Sequence, residues 1–190
     1  ELRAKKRRAL AMDALRPASE SLTHWEFWRG VVQGAEEKIA RASIDEALAH
    51  DPSFGQAWIE EGRLRWRLGI GGGAIEAFDA AARDPAVAAT AVYYRARLRL
   101  LTYFLQRPFP EIRLAGHELV VDRGVIAPES DALRALREAA IADLAECTRL
   151  VRGDDARAVY VKGLLATVRA TSPAQSLAAA ESIAPVLESM

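Results

Sequence analysis

Residues 55–85 read GQAWIEEGRLRWRLGIGGGAIEAFDAAARDP, which is two helical patterns joined by one breaker. Small and apolar residues recur at helical spacing on both sides of Gly69-Ile70-Gly71-Gly72-Gly73, a run that stops any helix. Asp84-Pro85 closes the second pattern, because proline cannot continue a helix. A step of thirty-four residues carries Ala40 onto Ala74, Ile44 onto Phe78, Ala47 onto Ala81 and Asp45 onto Asp79. It also carries Arg29 onto Arg63 and then Arg97. A period in this range marks a repeat array, in which one helix pair stacks on the next. The small residues read as packing positions. A charge at the same point of each unit needs a different reason.

Working outward, the chain reads as further helices. Residues 1–16 form a charged segment ending before Pro17, with Lys5-Lys6-Arg7-Arg8 locally basic, and 1–18 is taken as a linker helix. The basic run is a solvated helix face, a juxtamembrane segment or an anionic contact. Helices are expected over 20–33 and 35–50, the latter stopping at Asp51-Pro52. Others are expected over 54–68, 73–83 and 86–105, then 129–151, 154–169 and 173–188. The domain is 19–190, with units at 20–52, 54–85, 86–151 and 154–189. The stretch 107–128 breaks the pattern. Pro108 and Pro110 are followed by Ile112-Arg113-Leu114 and Leu119-Val120-Val121 around Ala115-Gly116-His117. A short β-hairpin insertion fits; a helix starting at Pro110 is the alternative.

The bulk composition limits the function. Half of the 190 residues are hydrophobic, enough for a core, and 26 Lys and Arg balance 26 Asp and Glu. That balance argues against a dedicated nucleic-acid or membrane-surface protein. The bias to arginine and alanine points to a GC-rich bacterial genome. One cysteine, Cys147, is too few for a disulfide or a thiolate zinc site, which fits a reducing, cytoplasmic setting. No apolar run is long enough to span a bilayer. The chain opens on Glu1 inside a helical pattern and is read as a piece of a longer protein.

At 55–85 the residues Trp58, Gly62, Ala74, Phe78, Ala81 and Pro85 fill the places of a tetratricopeptide (TPR) motif, and the chain resembles that family. Glu61 and Arg65 depart from it, standing where leucine and tyrosine are usual. The preceding unit matches through Ala40, Ile44, Ala47 and Pro52, and the following one through Ala96. Ala140, Leu144 and Cys147 repeat the small-large-small spacing later. The resemblance implies an all-α fold, a TPR-like α-solenoid of stacked antiparallel helix pairs. It also implies a concave groove lined by each first helix. Carried onto this sequence, the groove positions are Trp25, Glu26 and Arg29, then Ile59, Glu60, Arg63 and Trp66, then Tyr93, Tyr94 and Arg97.

Guanidinium forks grip carboxylates or phosphates while aromatic faces take apolar side chains, so such a row suits an extended peptide with acidic groups or a free C-terminus. Glu26 and Glu60 lie three residues before Arg29 and Arg63, however, and could pair with them instead. His24, His50 and His117 make no metal site. His117-Glu118 lacks the second histidine of a zinc-protease helix, and Gly71-Gly72-Gly73 lacks the lysine of a phosphate loop. No catalytic constellation is evident and no cofactor is implied. The leading expectation is a non-catalytic module binding a protein or peptide, with self-association as a further possibility. The alternative is a regulatory or sensory segment of a larger bacterial signalling protein, because the lead-in helix and degenerate repeats look like regions after the catalytic domain of some serine/threonine kinases. A small-molecule pocket lined by Trp25, Trp28 and Trp66 ranks third.

Overall fold

A computed structural model describes residues 2–28, 34–106, 111–115, 118–122, 129–151 and 156–169, with Gln175, Ala178 and Glu181. The body is all-α. Its helices are α1 (Leu2–Trp28), α2 (Gly34–His50), α3 (Gly55–Arg67), α4 (Gly71–Ala81), α5 (Ala88–Gln106), α6 (Asp131–Leu150) and α7 (Ala156–Arg169). Between α5 and α6 lie β1 (Glu111–Ala115) and β2 (Glu118–Asp122). These pair antiparallel in a register running from Glu111 opposite Asp122 to Ala115 opposite Glu118. The rest of 107–128 lies outside the described residues. So does most of the expected 173–188 helix, where only Gln175, Ala178 and Glu181 are described, all helical.

The thirty-four-residue step marks the core. Ala40, Ile44 and Ala47 on α2, and Ala74, Phe78 and Ala81 on α4, are all 0% exposed; so are Ala140, Leu144 and Cys147 on α6. Each triplet puts a large side chain between two small ones on one helical face, which lets the partner helix approach closely. Gly62 shows how close. A Cβ built there would fall 2.7 and 2.8 Å from Cδ1 and Cζ of Phe78, and nearer still to Cε1. The α3–α4 turn is fixed by Gly69, whose φ of 77° lies in the left-handed region. Gly69 N–H donates to the Trp66 carbonyl and Ile70 N–H to the Arg65 carbonyl, at 3.0 and 2.9 Å. These are the two bonds of a Schellman C-cap. Ser130 caps α6 by accepting from the Leu133 N–H at 3.2 Å.

Three helix pairs pack as α1 on α2, α3 on α4 and α5 on α6, with α7 against α6. The first helices also touch in series, α1 to α3 and α3 to α5. The apolar core follows that order. One cluster joins Ala11, Leu15 and Ala18 to Ala40, Ile44, Ala47, Phe54, Ala57 and Leu64. Smaller clusters link Ile59 to Ala81 and Ala91, and Phe78 to Leu98. The last joins Val92, Ala96 and Leu100 to α6 and to Val161.

The chain start differs from its sequence reading. A single helix runs through Pro17, where a linker over 1–18 and a separate helix over 20–33 are expected. An internal proline removes one hydrogen bond and costs about 3 kcal/mol. Here Asp13 and Pro17 both lie on the exposed side, where water can serve the carbonyl that loses its partner. On the opposite side Ala11, Leu15 and Ala18 are buried against α2 and α3, upstream and downstream of the proline. Burial on both flanks holds the helix through a position that local propensity would break.

Candidate functional site

The described candidate residues lie on α3 and α5, and they do not share one environment. Trp25 and Glu26 belong to α1, yet their side chains, like all of Arg29, lie outside the described residues. Ile59 is 1% exposed and packs with Ala81 and Ala91, so it serves the core. Arg63 is also withdrawn from solvent. Its Nη1 donates to Glu60 Oε2 at 2.6 Å, with side chains 9% and 2% exposed. Gln56 Nε2 donates to the other Glu60 oxygen at 3.1 Å. The short contact matters because both charges of this pair have lost water.

Trp66 and Arg97 are the more open members. Arg97 is exposed, and its guanidinium carbon stands 5.7 Å from the centroid of the half-buried Trp66 ring. In the opposite sense, the guanidinium carbon of Arg63 stands 6.0 Å from the Tyr94 ring. Each of the two helices therefore lends an arginine to an aromatic ring of the other. Such contacts contribute about 0.5–1 kcal/mol when exposed and about 2 when desolvated. The recurrent arginines thus tie α3 to α5. Tyr94 stacks on Phe78 with centroids 5.6 Å apart and planes 13° apart, which extends the tie to α4. Tyr93 turns away from this face and meets Tyr160 of α7 edge-on at 6.4 Å. Burial, with the neighbouring Tyr160, pushes its phenol up to about 12 against the opposing pull of Arg97.

Three charged clusters hold successive helices together, and sequence reasoning did not assemble them. Arg8 of α1 reaches Asp51 at 3.3 Å and also pairs with Asp84, while lying 4.4 Å over the Phe54 ring. Both aspartates belong to the Asp-Pro turns that end α2 and α4. Burial pushes each carboxyl up. For Asp51 the Ser53 and Arg8 contacts outweigh it, and for Asp84 Arg8 with the Gly55 and Ala86 N–H groups. Both end below the usual carboxylate range. In the second cluster Arg41 of α2 donates to both oxygens of Glu61 at 2.6 Å, and Arg65 Nε donates to Oε1 at 2.6 Å. Glu61 and Arg65 are the two positions that depart from the family pattern, and they answer each other. One thirty-four-residue step on, Arg95 and Arg99 occupy the same places. They share Asp143, with Arg95 fork-fitted at 2.6 and 3.0 Å and Arg95 also paired with Asp79. The sign is reversed: acid on the first helix at Glu61, base at Arg95. The signal that could have found this was the alternation Glu61/Arg95 read against Arg41 and Asp79.

An open cleft of about 270 Å³ lies between α1 and the start of α3, lined by Met12, Asp13, Leu15, Arg16, Ser19, Phe54 and Gln56. Met12 is 60% exposed over the buried Leu15 and Phe54, so the cleft has an apolar floor and a polar rim. Cys147 is buried and its thiol donates to the Ala89 carbonyl at 3.4 Å, the setting of a structural thiol rather than a nucleophile. Among the described residues no group of His, Cys, Asp or Glu is arranged to hold a metal ion, and no helix is long and apolar enough to cross a membrane. No protein-family model, curated protein or solved structure matches the chain.

Proposed function

We propose that this chain is a TPR-like α-solenoid acting as a non-catalytic interaction module, which binds a protein segment along the face shared by α1, α3 and α5. The observation that carries the reading is the serial contact of these first helices, with a cleft at one end and an exposed cation–aromatic pair at the other. The cleft between Met12 and Phe54 is large enough for one apolar side chain and small for a drug-sized ligand. Arg97, exposed beside Trp66, supplies a guanidinium fork for an acidic group. Arg63 contributes rigidity, since Glu60 already holds it. The favoured occupant is therefore an extended peptide with an apolar anchor and an acidic residue. A reducing, cytoplasmic location accords with the single buried thiol.

Peptides selected from a random displayed library against the whole chain provide the test, with affinity read by fluorescence anisotropy. Met12→Glu and Arg97→Ala change exposed positions and leave the core alone. Each is expected to weaken binding about tenfold, the loss of one good contact. Selected peptides that bind both variants as tightly as the parent refute the assigned face.

A further inference from the structure

The neutral charge of the chain hides a strong local segregation. From Leu2 to Met12 the sequence LRAKKRRALAM holds five cations and no acid. Arg8 is committed to Asp51 and Asp84. Lys5 makes an interaction of its own. Arg3, Lys6 and Arg7 share one side of α1 with Leu2 and Leu10, and every residue from Leu2 to Arg7 is exposed. The first fully buried residue of α1 is Ala11. Residues 2–7 are thus a helical stretch of about 9 Å that stands clear of the body. Arg8 fixes its direction by gripping two turns of the fold at once.

The segment is not simply a solvated charge run, because apolar side chains stand among the cations. Leu2 is 83% exposed and Leu10 42%, two turns apart on the side of α1 that faces away from the Ala11–Leu15–Ala18 stripe. Exposed leucines beside lysine and arginine suit an interface that is anionic at its surface and apolar just beneath. A purely polar polyanion, such as polyglutamate or a nucleic-acid backbone, would use the cations and leave the leucines idle. We infer that the Leu2–Leu10 segment of α1 is a peripheral docking site for an anionic phospholipid surface, with Arg3, Lys6 and Arg7 pairing headgroups and Leu2 and Leu10 entering the headgroup boundary. The site is separate from the proposed peptide face, which begins two residues further along at Met12, on another side of the helix.

Each near-surface cation strengthens such binding about fivefold, so three together amount to about a hundredfold. The experiment is co-sedimentation of the whole chain with vesicles of phosphatidylcholine alone, and of phosphatidylcholine mixed with phosphatidylserine, at low and raised salt. The chain is expected to pellet with the anionic vesicles only, and less at raised salt. The variant Arg3→Gln/Lys6→Gln/Arg7→Gln is expected to lose about a hundredfold in partitioning. Leu2→Gln/Leu10→Gln is expected to lose several-fold. All these positions are exposed, and circular dichroism checks that the variants keep their helix. The inference is overturned if anionic vesicles fail to pellet the chain, or if the leucine variant partitions as the parent does. Equal or tighter binding to polyglutamate or duplex DNA overturns it as well.

Discussion

Replacing Gly62 by alanine tests whether α3 and α4 are as close as the packing requires. In an exposed helix the change would stabilise by about 1 kcal/mol, because alanine is the better helix former. Here the new methyl would enter the space of the Phe78 ring, whose Cδ1 and Cζ lie 2.7 and 2.8 Å from the ideal Cβ position. The ring has little room to retreat. Phe78 is 0% exposed, stacks on Tyr94 and packs against Ala74 and Leu98. Overpacking a filled core costs about 1–3 kcal/mol, and a ring held on several sides belongs in the upper half of that range. The net expectation is a loss of about 1–2 kcal/mol after the propensity gain. For a chain of this size that lowers Tm by roughly 2–8 °C. Urea unfolding followed by circular dichroism reads it, with an unchanged slope showing that the unfolded state is not the cause. A double-mutant cycle with Phe78→Leu isolates the contact. Leucine lacks the ring atoms that clash, so the double variant should lose less than the sum of the single losses, by about 1 kcal/mol. A Gly62→Ala protein as stable as the parent, or a strictly additive cycle, would refute the close approach.

Two further expectations concern the charged clusters. Asp51 and Asp84 have folded pKa values below their unfolded ones, so the stability they supply is present above the unfolded carboxylate range and is lost as pH falls through the folded values. Arg8→Met, which keeps the packing on Phe54, should cost about 1 kcal/mol at neutral pH, as befits a partly exposed pair. The gap to the parent, followed by urea midpoints down the acid limb, should narrow below about pH 4; a gap that stays constant to pH 2 would detach Arg8 from the two carboxylates. At Glu61, which is 3% exposed between Arg41 and Arg65, substitution by arginine should cost more than about 3 kcal/mol, since three cations would then share one buried site. Glu61→Leu should stay within about 1 kcal/mol of the parent, because Arg41 and Arg65 can both turn to water. Equal thermal shifts for the two variants would show that packing, not charge, governs the position.

Some of this architecture could be read directly. The small-large-small triplets needed only period and residue size, and all nine of their residues are at zero exposure. The α3–α4 break was legible at Gly69, because few residues other than glycine take its positive φ, but α4 begins at Gly71 and takes in glycines that the sequence reading gave to the turn. The helix through Pro17 could not be read, since the local rule says stop and burial on both flanks overrides it. The positions carried over from the family resemblance do not share one state among the described residues. Ile59 and Arg63 lie at groove positions and are buried, Tyr93 turns to α7, and Trp66 with Arg97 stays accessible. Helical spacing tells which residues share a side of one helix; how much a neighbouring helix covers that side depends on close approaches such as that of Gly62 to Phe78.

The sequence alone determined the helical character, the α3–α4 and α5–α6 pairs and the small-large-small residues on α2, α4 and α6. Those properties come from short-range periodicity and from the size of side chains, which a chain carries in its order. Only the tertiary structure decided what the charges do. Arg8 meets Asp84 across 76 residues, Arg95 meets Asp143 across 48, and Arg63 turns to Glu60 on its own helix. An arginine side chain can reach carboxylates on several neighbouring helices. Which it takes depends on the distance, burial and competing partners that exist only once the helices are stacked.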